Sequence, residues 1–190
     1  MKQVQKYLVA GMLVTATAIG ILGDNMYSTY VADATNSRLQ GHVQVTLKLL
    51  PEEARNAVPP NLEVNMTARN SKVFDGLASE ADGIIFITPN TMEDTVRAQF
   101  NVAHEIGHIV DFNMDKSLFN AKFKVTSTNK EVRANSVAIY ILLKRGYQIK
   151  KLKEYITENF GDMESGTTDA PGWGEASTIF KESMAVVNRY

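Results

Sequence analysis

The sequence predicts an α+β fold, with a small mixed sheet packed on one long helix and on the helix that follows it. Three observations carry that expectation. Short apolar runs bounded by turn residues fill the first half of the chain, at "HVQVTLKLL", "PPNLEVNMTA" and "DGIIFIT". From Pro89 onward the apolar spacing becomes helical. Within that helical part, "FNVAHEIGHIVDF", residues 100–112, carries two of the three histidines of the chain.

The elements follow in chain order. Lys2 and Lys6 precede an uncharged run from Tyr7 to Gly23, and Asp24 is the next charge. That layout predicts a secretory signal or a membrane anchor over residues 1–34, with an "ADA" ending at Ala34. It implies an exported protein, secreted or tethered through residues 7–23 on the outer face of the cytoplasmic membrane. Residues 24–41 are polar and read as a linker, so a folded domain is expected over 42–190. Val43, Val45, Leu47 and Leu49 alternate, which predicts a half-buried strand from His42. Pro51 and two acids start a short helix. "PPNLEVNMTA" reads as a second strand, residues 70–80 as a loop, and residues 82–88 as a strand after the Asp-Gly turn.

Pro89, Thr91 as N-cap and Asp94 predict the start of the long helix, whose Val96, Ala103, Ile106 and Val110 share a face with Gly107. A polar loop is expected next. A second helix over "TNKEVRANSVAIYILLKRG" ends at Gly146. "YQIKKLKEYITENFGD" is a third, with Ile149, Leu152, Ile156 and Phe160 inward. Residues 161–174 read as irregular and suited to covering a cleft, and the tail from Glu175 as a last helix.

Composition narrows the chemistry. The 190 residues carry a net charge of −1, which argues against a nucleic-acid partner. Cysteine is absent, so a metal must be held by His, Asp or Glu. His104 and His108, four apart on a helix, project the same way and can offer two imidazole nitrogens to one ion. Glu105 is turned by about 100° from His104 and is placed to accept a proton from a metal-bound water. Two histidines leave an ion under-coordinated. Asp111 lies one turn beyond His108 on the same helix, and His42 is isolated in sequence. Glu131, at the start of the next helix, closes the geometry better, although Thr128 and Glu131 also have capping-box spacing. Asn135 falls on the Glu131 face, where it can bond an imidazole's outer nitrogen.

"FNVAHEIGHIVD" followed by "EVRANSVAIYILL" resembles the ImmA/IrrE-type zinc metallopeptidases, over roughly residues 82–146. The resemblance implies a minimal zincin-like fold, one Zn2+ per chain on His104, His108 and Glu131, and Glu105 as catalytic base. Asn135 and Asp111 are then supporting residues. A looser likeness is to exported peptidases similar to the anthrax lethal factor catalytic domain. The expected activity is endopeptidase hydrolysis of a protein or peptide. The substrate would add along the strand at Gly83–Thr88, with a tyrosine (Tyr140, Tyr147, Tyr155 or Tyr190) as a second oxyanion donor. The rival readings are an inactive metal- or partner-binding module and an exported structural protein in which the motif is accidental.

Overall fold

The computed structural model describes residues 25–67, 76–160 and 173–190. Residues 1–24 of the expected export segment, and residues 161–172 of the expected covering loop, lie outside that range, while residues 25–34 belong to the first helix. The architecture is mixed α and β, with a three-stranded sheet and helices that bury it on one face. No helix among the described residues is long and apolar enough to cross a membrane.

The first element departs most from expectation. Residues Asn25–Leu49 form one helix, α1, where a linker and a strand were expected. The Val43–Leu49 alternation is real, but the core takes a different set: Leu39, Val43 and Thr46 are buried, with Leu50 just past the end. Their spacing of four, three and four marks one helical face. Thr46 fits that face because its hydroxyl donates to the His42 carbonyl at 2.9 Å. The helix ends against Arg55 of α2 (Glu52–Asn56), whose guanidinium donates to the carbonyls of Leu47, Lys48 and Leu50.

Strands β1 (Glu63–Met66), β2 (Gly76–Ser79) and β3 (Ile84–Ile87) follow in the order β1-β3-β2. β3 is central, parallel to β1 and antiparallel to β2. That corrects the expectation of a free edge at Gly83–Thr88: among the described residues, the edges belong to β1 and β2. "GLAS" has little strand propensity and was expected in a loop. It is a strand because the Asp-Gly turn folds it back on β3, with Ser79 accepting from the amides of Asp82 and Gly83. Ile85 and Ile87 are the fully buried side chains of the sheet.

A 3-10 turn, Pro89–Glu93, then leads into α3 (Thr95–Asn113). The N-cap is Asp94 rather than Thr91: its carboxylate accepts from the Arg97 amide at 2.6 Å, while Thr91 is buried against Thr88. The expected polar loop contains a helix, α4 (Lys116–Phe123). Asp115 caps it, and Phe119 and Phe123, one turn apart with ring centres 4.7 Å apart, anchor it in the core.

Helix α5 (Lys130–Lys144) lies on α3 in the largest helix contact among the described residues. Gly107 is the close-approach point: a Cβ there would sit 2.9 Å from the Ala134 carbonyl oxygen and 3.0 Å from its Cα. Helices α6 (Ile149–Phe160) and α7 (Trp173–Val187) complete the fold. Leu152 and Ile156 of α6 point inward as expected, whereas Ile149 is exposed.

Candidate metal centre

Helix α3 presents His104 and His108 on the side facing α5. The rings meet edge to face at 4.7 Å between centres, and the two Nε2 atoms stand 3.1 Å apart. Glu131, in the first turn of α5, reaches both: Oε2 is 3.2 Å from His104 Nε2 and Oε1 is 3.5 Å from His108 Nε2. One ligand atom from each of the three residues falls within a 4.8 Å cluster that can hold a metal ion. Bonds of about 2.0–2.1 Å at a tetrahedral angle require donors about 3.3 Å apart, and these distances bracket that value.

Capping does not occupy Glu131. The N-cap of α5 is Asn129, not Thr128, and its Oδ1 accepts from the amides of Glu131 and Val132. That leaves the Glu131 carboxylate, 49 % exposed, directed at the imidazoles.

The outer nitrogen of His104 is hydrogen-bonded, and that of His108 faces a carboxylate at longer range. His104 Nδ1 lies 2.8 Å from Asn135 Oδ1, the supporting contact expected for Asn135. A carbonyl oxygen only accepts, so Nδ1 carries the proton and the Nε2 lone pair faces the cluster. His108 Nδ1 lies 3.8 Å from Glu80 Oε1, and Lys130 donates to both oxygens of that carboxylate. Sequence reasoning missed Glu80 because it sits in the β2–β3 turn, far from the motif. The one available signal was the Asp-Gly turn, which fixes where the residues before it fold back.

The electrostatics record the excess of lone pairs. Burial pushes His104 down. The bond to Glu131, the charges of Glu105 and Glu131, and the contact with Asn135 overcome this, and its pKa is raised. Glu131 is held well below the usual carboxylate range by its bonds to His104 and His108, against the opposing effect of burial.

Glu105 is 5 % exposed and lies outside the donor set, with its carboxylate against the sheet. Its carboxylate rests on bare backbone: a Cβ at Gly76, the first residue of β2, would lie 2.6 Å from Oε1 and 2.8 Å from Cγ. β2 is therefore the sheet edge beside Glu105.

Asp111 is placed elsewhere. It accepts from Arg133 Nε at 2.5 Å and from Lys116 Nζ at 2.8 Å, and among the described residues it bonds neither imidazole. Its carboxylate ties α3 to α5 beyond the site, while the Arg133 guanidinium stacks 4.3 Å over Phe119. His42 is remote too, bonded through Nδ1 to Gln99 at 2.9 Å. Of the four tyrosines, Tyr155 is tied to the centre: its ring packs 5.5 Å from Phe100, which stacks 6.4 Å from His104. Tyr140 and Tyr190 pack on each other.

Compared with models of known protein families, with characterised proteins and with solved structures, the chain matches none.

Proposed function

We propose that the chain is a zinc-dependent endopeptidase of the zincin type, with one Zn2+ on His104, His108 and Glu131 and with Glu105 as general base. The observation that carries this reading is the convergence of two imidazole nitrogens and a carboxylate at 3.1–3.5 Å, beside a further carboxylate that stands outside the set. Two imidazoles and a carboxylate, in a chain without thiols, suit zinc, and three protein ligands leave a fourth position open. The likeness of "AHEIGH" and "EVRAN" to the ImmA/IrrE-type peptidases supports the same roles.

Bound there, zinc supplies Lewis acidity, polarising a carbonyl oxygen and lowering the pKa of a water towards about 7. The other tasks fall to the chain's own groups. Glu105 accepts the proton of the attacking water on its carboxylate and passes it to the departing amine nitrogen. The backbone at Gly76 seats that carboxylate. Asn135 holds the outer nitrogen of His104, so that its Nε2 lone pair faces inward, and the Glu80 carboxylate faces the outer nitrogen of His108 from 3.8 Å. Among the described residues β2 is a sheet edge, a place where an extended polypeptide can add as a further strand, which supports a protein or peptide substrate. The uncharged run at residues 7–23 supports action outside the cytoplasmic membrane.

The test compares the zinc-supplied wild type with Glu105→Gln on denatured casein. Both should take up one zinc per chain, and the substitution should lower kcat by about 10²–10⁴-fold. Equal turnover would remove Glu105 as the base. Stoichiometric zinc with no turnover in the wild type would leave the metal-binding module as the reading.

A further inference from the structure

We infer that Ser183, on the last helix, is a positioning residue for His104 and acts through the Asn135 amide; the inference rests on the metal-site reading. Three helices meet in one chain of hydrogen bonds. His104 Nδ1 of α3 lies 2.8 Å from Asn135 Oδ1 of α5, and Asn135 Nδ2 donates to Ser183 Oγ of α7 at 3.0 Å. Asn135 and Ser183 are both buried, so no solvent replaces a lost partner.

The Asn135 amide has two orientations. With Oδ1 towards His104, the ring's proton sits on Nδ1 and the Nε2 lone pair faces Glu131 and His108. With Nδ2 towards His104, Nδ1 must accept. The proton then moves to Nε2, where it points at Glu131 and occupies the direction a metal needs. Ser183 decides how costly the first orientation is. With its hydroxyl present, both orientations are satisfied, because Oγ accepts from Nδ2 in the first and donates to the amide oxygen in the reversed one. Without it, the first orientation leaves a buried N–H unpaired, whereas the reversed one leaves only an under-satisfied carbonyl, the lesser penalty. The Ser183 hydroxyl thus removes the penalty on the orientation that leaves His104 Nε2 free, and its loss tips the amide the other way.

The experiment reads the tautomer directly, by ¹⁵N NMR of the metal-free protein at a pH where His104 is neutral. Wild type should show the Nδ1–H form. Ser183→Ala should shift His104 towards the Nε2–H form and weaken zinc binding about tenfold or more. In an Asn135→Asp background both ends of the side chain only accept. There His104 should stay Nδ1–H, and adding Ser183→Ala should change zinc affinity by less than about twofold. An equal loss in both backgrounds would make Ser183 a packing residue and overturn the inference. An unchanged tautomer and affinity in Ser183→Ala would overturn it too. Wild type that takes up no zinc would sink the metal reading instead, while the tautomer comparison would still decide the role of Ser183.

Discussion

Two polar clusters hang on α3, one reaching back to α1 and the other across to α5, and they differ in how lone pairs and protons are matched. Around Gln99, beside His42, donors and acceptors are paired. Gln99 Oε1 lies 2.9 Å from His42 Nδ1 and accepts from Arg145 at 2.8 Å. Gln99 Nε2 donates to Thr46 Oγ1 at 2.7 Å and to the His42 carbonyl. Around His104 two imidazole Nε2 atoms and a carboxylate face one another at 3.1–3.5 Å, and the His104 ring meets the Asn135 carbonyl oxygen on its outer side. In the first cluster the Gln99 amide is satisfied at both ends. The second is electron-rich and requires a cation, either a proton or a metal ion. Burial of a histidine is common to both, so what marks a site is the balance of donors and acceptors.

The strongest way to break that contrast is to remove one histidine from each cluster. His104→Ala should cost more zinc affinity than the roughly 10–100-fold that loss of an outer partner costs. His42→Ala should leave zinc uptake untouched and destabilise the fold by about 1–3 kcal/mol, because Gln99 loses its partner. Zinc titration and thermal melting of the two variants separate the effects, and equal zinc loss in both would erase the distinction. Gly107→Ala tests the frame that holds the second cluster. Its methyl would meet the Ala134 backbone and should destabilise by about 1–3 kcal/mol in denaturant unfolding. Glu80→Gln is gentler. It removes the charge beside His108 Nδ1, and zinc affinity should fall about tenfold with the fold intact.

The smallest expected effect is a pH tilt of opposite sign in the two clusters, read from melting of the metal-free protein. His104 is raised by Glu131, Glu105 and Asn135, so its stabilising contribution is full below 6.5 and is lost as pH rises through the folded value. His42 is lowered by burial and by the charges of Arg145 and Arg38, against its bond to Gln99, so its contribution is lost as pH falls below 6.5. His42→Gln should therefore flatten the acid side of the stability profile and His104→Gln the neutral-to-alkaline side. Flattening on the same side in both would contradict the assignment.

The donor set was legible in the sequence because its spacing is local. His104 and His108 need only one turn of helix, and Glu131 needs only that the next helix lie alongside. α1 was not legible, because β-branched Val43 and Val45 imitate a strand while the residue that completes the helical face, Thr46, is polar. β2 escaped for the opposite reason: "GLAS" has no apolar pattern, and only pairing with β3 makes it a strand. Glu80, Ser183 and the Asp111–Arg133 pair are contacts between distant positions that no periodicity announces.

The absent side chain at position 107 acts as a gauge. Two of the candidate donors ride on α3 and one on α5, so the spacing of the helices at Gly107 and Ala134 sets how wide the three can open. A bulkier residue there would prise the helices apart and favour an ion of larger radius. On the proposed metal reading, selectivity between ions would then be set in the hydrophobic interior, by residues that never touch the ion.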